Sequence, residues 1–275
     1  MNYKLRTRRA FTLIELVVAI AILVMVISFA GVIFKVSINA YRAATASTEI
    51  MQKLRAITDQ INADFKGVRR TVPGKVRHHL ISGLIRSDCI AFLANGDFQS
   101  TEQYGQPVSK SVVGNIAGIF YGHSATPDPN TADPKEKILL RRQTILTYDA
   151  NPPLSSPIGE YYKTSLAEWR VQNPFPNTDV WVSKPPLDVN NPGDLVMYMA
   201  KGVDDFAVQF AMWDPNSVPM NYRWWPMNYE IAAGLGFQPL QPIASNAIKF
   251  TFTLYDSKGV IKNGRRFTHI VYLGD

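Results

Sequence analysis

Between Phe11 and Phe34 the chain reads FTLIELVVAIAILVMVISFAGVIF, 24 residues in which Glu15 is the one charged side chain. About 20 such residues, at 1.5 Å rise each, cross the hydrocarbon of a bilayer as a helix. A run apolar on every side has no place on the surface of a soluble domain. Lys4, Arg6, Arg8 and Arg9 precede it. Such a cluster stays cytoplasmic, so the chain beyond Lys35 is expected to face outward. A cleaved secretory signal fits poorly, because the run exceeds the usual span of about 7–15 residues and no small-x-small site closes it. A plain signal anchor accounts for the run but not for Glu15, since a carboxylate in a membrane helix costs a few kcal/mol unless it finds a partner.

The stretch Arg9-Ala10-Phe11-Thr12-Leu13-Ile14-Glu15-Leu16 closely resembles the cleavage and methylation motif of type IV pilin-like precursors. The resemblance implies that a prepilin peptidase cuts between Ala10 and Phe11 and methylates the new Phe11 amine. Ala10 stands where the family usually has Gly. The resemblance also implies a role for Glu15, which in this family neutralises the N-terminal amine of a neighbouring subunit. Pairing in a low-dielectric medium offsets part of the burial cost of both charges.

No proline occurs from Phe11 to Phe65. Beyond Lys35, Tyr41, Ala44, Ser47, Ile50, Met51, Leu54, Ile57, Ile61 and Phe65 recur at three- and four-residue steps, with Arg42, Glu49, Lys53, Arg55, Asp59 and Asp64 among the polar residues between them. This spacing predicts one helix to Lys66, apolar on one stripe, with Gly67 as its C-cap. Two helices joined near Lys35 are the alternative. The organisation expected is a leader over 1–10, a membrane-spanning part over 11–34, an amphipathic continuation over 35–66, and a β-rich outer domain over 67–275.

Strand signals follow: a buried run Cys89–Leu93 closed by Asn95-Gly96, then 113–121, 137–148 and 203–213. Over 247–255, Ile248, Phe250, Phe252 and Leu254 point one way. A turn at Asp256–Gly259 leads to a last strand over 266–273, a hairpin. The stretches 99–106, 126–135, 151–157, 173–192 and 214–226, rich in Pro, Asn or Asp, read as surface loops. The class expected is α+β: a long helix packed on an antiparallel sheet.

Parts of the body resemble the J-type minor pseudopilin family of type II secretion. They are Asp64-Phe65 with Val68-Arg69, Lys201-Gly202-Val203 entering a strand, Met212-Trp213-Asp214, Arg223-Trp224-Trp225-Pro226, and Pro242–Ile248 before the closing hairpin. This implies a subunit joining I- and K-type partners, with a major pseudopilin, in a filament tip. It is anchored in the inner membrane with its body in the periplasm. Glu15 argues against the K type, which lacks it, and length argues against the I type. A minor type IV pilin in adhesion, motility or DNA uptake is the second class, and a signal-anchored enzyme or binding protein the third.

Other chemistry finds little support. The net charge of +7 owes four charges to the leader, and the other 25 basic residues stand against 22 acidic ones, so no nucleic-acid stripe is present. A single cysteine, Cys89, excludes an internal disulfide. His78 and His79 read as a solvated loop, since adjacent residues of an extended chain point apart. Asp188 to Asp194 offers oxygen donors of the kind calcium takes, but it lacks an EF-hand pattern and an Asx-rich turn is the reading preferred. No phosphate loop, nucleophile elbow or HExxH motif occurs, and the expectation is a non-enzyme without a cofactor. Of Trp224 and Trp225, one is expected in the core and the other at an interface.

Overall fold

The structure, a computed structural model, describes residues 12–68, 75–82, 85–105, 109–148, 160–163, 187, 192–214, 221–225, 238–239 and 245–273. The Ala10–Phe11 junction and the loops over 151–157 and 173–186 lie outside them.

Helix α1 (Leu13–Lys66) is continuous over 54 residues, roughly 80 Å at 1.5 Å per residue. No break occurs at Lys35. From Leu13 to Phe34 its large apolar side chains are exposed; burial begins at Ala46 and continues through Ile50, Ile57, Ile61, Asp64 and Phe65. The stripe is thus shorter than the spacing suggests. Tyr41 and Met51 point to solvent, and Leu54 is half-buried. Each fully buried Ile or Phe contributes about 1.5–3 kcal/mol, which fixes the lower third of the helix to the body. Gly67 ends the helix at φ −93°, ψ 5°, so no left-handed cap is needed. Its role is close approach: the Asn95 N–H donates to the Gly67 carbonyl at 2.6 Å, and an added Cβ would lie 2.0 Å from the Asn95 carbonyl oxygen.

Two sheets pack on that part of α1. The larger contains β1 (Lys75–Arg77), β4 (Cys89–Tyr104), β5 (Lys110–His123), β6 (Ile138–Thr147), β7 (Tyr161–Lys163), β8 (Tyr198–Lys201) and β11 (Gln238–Pro239), in the order β11-β1-β4-β5-β6-β7, with β8 also on β6. All its pairs are antiparallel except β6–β7. The smaller runs β10-β9-β12-β13, from β9 (Val203–Asp214), β10 (Asn221–Trp225), β12 (Ala247–Leu254) and β13 (Arg265–Tyr272). A short pair, β2 (Leu80–Ser82) and β3 (Ile85–Arg86), precedes β4, and one helical turn, α2 (Pro192–Leu195), precedes β8. The sheets meet where the Asp88 N–H donates to the Phe206 carbonyl at 2.9 Å. One core joins them: Ile57, Ile61 and Phe65 of α1, Phe92, Ile119 and Tyr121 of the larger sheet, Phe206, Phe250 and Phe252 of the smaller. The α+β class expected from sequence is the one observed.

Four local expectations fail. Asn95-Gly96 does not end a strand: β4 continues to Tyr104, and a register shift between Asn95 and Phe98 absorbs the pair. Most of 99–106 is therefore strand. Likewise 214–226 contains β10, whose Asn221–Trp225 pairs with Asp214–Phe210. His78 is not solvated: its ring is buried with Nδ1 3.1 Å from Asp88 Oδ2 and 3.0 Å from Arg86 Nη2. The turn over 126–135 and the β12–β13 hairpin are as expected, although the hairpin loop spans 255–264.

Candidate functional site

The chemistry expected from the sequence is concentrated at the start of α1. Thr12 is the N-cap, at φ −79° and ψ 149°. The Glu15 carboxylate accepts from the Thr12 N–H and from the Thr12 hydroxyl, both at 2.9 Å, and the Glu15 N–H donates to Thr12 Oγ1 at 3.4 Å. This is a capping box, the reciprocal pairing of an N-cap Thr with an acidic residue three positions on. Sequence reading missed it, although Thr12-Leu13-Ile14-Glu15 directly before an apolar run is its signature. Glu15 thus lies at the positive end of the helix dipole, beside the main chain of the residue that follows Phe11. Ala10 and Phe11 themselves are outside the described residues.

The exposed apolar cylinder follows. Among the described residues one helix is long and apolar enough to cross a membrane, and the window that qualifies is not buried in the protein. Leu13, Phe29 and Phe34 are 81%, 64% and 68% exposed, a surface that water does not tolerate and that lipid or other helices must cover.

At its far end the helix is held by polar clamps. Arg141 of β6 donates from Nε to Asp64 Oδ2 and from Nη2 to Asp64 Oδ1, each at 2.7 Å, and the Tyr121 hydroxyl also donates to Asp64. Burial, then the Asp64 charge, push the Tyr121 phenol well above its usual range. Burial works against the Arg141 charge, but the hydrogen bonds and charge of Asp64 outweigh it and raise its pKa. Higher up, Lys53 Nζ donates to the Tyr255 carbonyl at 2.9 Å and pairs with Glu49 at 2.8 Å, while Glu49 takes the Ser257 N–H and hydroxyl. Glu49 and Lys53, two of the polar residues set between the apolar positions, are therefore committed to the hairpin loop; Arg42, Arg55 and Asp59 remain exposed.

The histidines do not converge. His79 meets Asn130, His123 sits between Ser87 and the Val203 carbonyl, and His269 meets Asn62. Among the described residues no three His, Cys, Asp or Glu side chains are grouped to hold a metal. Of the Asp188–Asp194 stretch, 188–191 lie outside the described residues. Trp225 packs on the core and edge-on to His78 at 6.0 Å, while Trp224 lies under Lys249 Nζ at 4.7 Å, half-buried.

A long apolar helix starting at a capping box and seated by its last turns on an α+β body defines a helix-anchored architecture. Residues 5–31 match the prokaryotic N-terminal methylation motif. That motif indicates a type IV pilin-like prepilin signal, of the kind a prepilin peptidase acts on. No curated protein and no solved structure matches the chain significantly.

Proposed function

We propose that the chain is a minor pseudopilin of J type in a type II secretion system, a non-enzymatic subunit cut between Ala10 and Phe11, methylated on Phe11 and built into a periplasmic filament tip. The observation that carries the filament reading is the methylation motif over 5–31, overlapping a helix whose large apolar side chains are exposed from Leu13 to Phe34 and whose last turns, from Ala46, seat the body. Residues 11–34 span the inner membrane before assembly and pack against other subunits afterwards. Glu15 then exchanges its own N-cap for the Phe11 amine of a neighbour.

The J-type assignment is supported by where the resembling segments lie. Gly202-Val203 opens β9, Met212–Asp214 closes it, Arg223–Trp225 lies in β10, and Ala247-Ile248 opens β12. These pieces are thus neighbours in one four-stranded sheet, while Asp64-Phe65 lies in the last turn of α1. Gly202 has φ +78°, which suits glycine, and its carbonyl takes the Tyr255 N–H at 2.8 Å. I- and K-type minor subunits and the major pseudopilin are the partners proposed. A minor type IV pilin is the second reading, since the N-terminal motif serves both.

Mass spectrometry of the membrane-extracted protein tests processing: a chain starting at N-methylated Phe11 is expected, and an intact Met1 form in cells with active peptidase refutes it. Loss of secretion with intact twitching in a deletion strain supports the secretion reading; the reverse supports a pilus.

A further inference from the structure

The β12–β13 hairpin turns at the anchor end of the body. At the start of β13, Arg265 Nη1 donates to the Ser47 hydroxyl at 2.9 Å, and just after β12 the Ser257 N–H donates to Glu49 at 2.9 Å. His269, further along β13, meets Asn62 near the last turn of α1. β12 therefore runs toward the apolar half of the helix and β13 runs back from it, so the connecting residues 255–264 lie at the end of the body nearest that half.

The loop sorts its charges. Asp256, 1% exposed, turns inward and accepts from the Val260 and Ile261 N–H groups at 2.9 Å each. Lys258, Lys262 and Arg265 stay on the outer surface, exposed. Lys35, also exposed, follows the apolar run and precedes Lys53 by five full turns at 3.6 residues each, so it lies on the same side of α1. Lys53 is the residue that holds the loop through the Tyr255 carbonyl. Among the described residues none of Lys35, Lys258, Lys262 and Arg265 is paired with a carboxylate. Nearby carboxylates are engaged elsewhere: Glu49 with Lys53, Asp205 with Arg266 and Glu136 with Lys201, while Asp133 accepts from the Lys135 N–H.

The distances suit a membrane surface. Ser47 lies about 20 Å along the helix from Phe34, at 1.5 Å per residue. The polar layer of one leaflet fills about 5–8 Å of that height. Membrane helices tilt by about 20° on average, and a lean toward the hairpin lowers a loop ~10 Å off the axis by a further ~3 Å. The remaining gap of ~10 Å is spanned by the four-carbon stems of the lysines and a screening length of about 8 Å.

We infer that the 255–264 loop docks on anionic lipid headgroups of the leaflet from which α1 emerges, with Lys258 and Lys262 on the phosphates, and so fixes which way the membrane-resident subunit leans. The inference rests on the membrane-spanning stage of the reading above. Each basic residue that reaches an anionic surface strengthens attachment roughly fivefold, so the two loop lysines favour this lean by more than tenfold over the opposite one. Compact cations on flexible stems suit a mobile array of phosphates better than one fixed acidic side chain.

The full-length protein carrying a photo-crosslinking residue at position 263, the exposed loop tip, is placed in nanodiscs of phosphatidylcholine alone or of equal parts phosphatidylcholine and phosphatidylglycerol. Mass spectrometry is expected to find about fivefold more lipid adduct in the mixed discs, falling as salt is added. Lys258→Gln with Lys262→Gln is expected to cut that yield about fivefold or more with the unfolding midpoint unchanged. Lys66→Gln, exposed at the far end of α1, makes the same kind of charge change and is expected to leave the yield as it is. Equal yields in the two discs, or a yield indifferent to the double variant, would overturn the inference. In cells, crosslinks from position 263 to a second protein without any lipid adduct would overturn it in favour of an acidic protein partner. A chain that alkaline carbonate strips from membranes sinks the membrane-spanning reading and this inference together. A carbonate-resistant chain without lipid adducts sinks the inference alone.

Discussion

Arg141 holds Asp64 with two 2.7 Å bonds across 77 residues of sequence, joining the last turn of the anchor helix to the middle of β6. Asp64 is 6% exposed and also accepts from Tyr121 and from Gln60. Breaking one side of a buried pair strands the other charge, at a cost of about 3–5 kcal/mol. Arg141→Met is therefore expected to destabilise the body by about 3 kcal/mol, because Tyr121 and Gln60 still serve Asp64. The double variant Asp64→Asn, Arg141→Met is expected to recover part of that loss. Thermal unfolding of the two single variants and the double one checks it, and strict additivity would show that the residues act independently.

Acid stability depends on two groups shifted the same way for different reasons. Burial alone raises the Asp256 carboxyl, but main-chain N–H groups, with Ile261 and Val260 donating at 2.9 Å each, outweigh it and hold it below its ordinary value near 3.8. Its contribution is present above the unfolded pKa and lost as pH falls through the lower folded one. Burial also lowers His269 from 6.5. The neutral ring is favoured when folded, so stability declines as pH falls from about 6.5 toward the lowered folded value and levels off beneath it. Denaturant unfolding between pH 3 and 8 is expected to show both declines. Asp256→Asn should remove the lower one and His269→Gln the upper one, and curves that do not change would refute the assignments.

Glu15 caps its own helix, and under the proposed function it also supplies a charge to a neighbour. Glu15→Gln keeps an acceptor for the Thr12 N–H and removes the charge; Glu15→Val removes both. Both variants are expected to insert in the membrane, since neither adds a charge. If pairing across subunits is the duty that counts, both lose assembly alike, measured as recovery of the subunit in sheared filaments. Normal assembly by Glu15→Gln with failure of Glu15→Val would assign the role to the cap.

The apolar run, the proline-free helix and the alternation Ile248, Phe250, Phe252, Leu254 were legible because each is a local pattern repeated several times, and all four of those β12 side chains are buried in the core. The Asn95-Gly96 signal misled because a bulge and a turn ask for the same residues, and only cross-strand pairing with β5 decides between them. The buried ionic residues were not legible. Asp64 reads as one more polar residue on a helix, and Lys137, which pairs with Asp204 at 2.7 Å, sits 67 residues from its partner. A paired charge in the core differs from a surface charge only through the partner, and single-chain spacing does not reveal partners so distant. The capping box was local and readable, but the resemblance carried by the same residues drew attention to Glu15 as an interface group.

Under the proposed function, the exposed face of the lower helix is the one expected to meet a neighbouring helix. Glu49 and Lys53 are excluded from that face by their bonds to the 255–264 loop, leaving Tyr41, Arg42, Met51, Arg55 and Asp59 outward. Arg55 lies 3.5 Å from Asp59 one turn on, with both side chains largely exposed, so the pair contributes little to folding and is available for exchange. The reversals therefore divide. Arg42→Glu with Arg55→Glu is expected to leave the unfolding midpoint within about 2 °C while weakening co-purification with sister subunits. Lys53→Glu is expected to lower stability by about 1–2 kcal/mol, because it removes the bond to the Tyr255 carbonyl and sets two carboxylates one turn apart. Ile57→Asp, fully buried in the native body, is expected to abolish folding. Light scattering after size exclusion, with calorimetry on the same samples, separates the three. A double reversal at Arg42 and Arg55 that binds partners normally would move the interface off this helix face and toward the edge strand β13, where Tyr272 is 77% exposed.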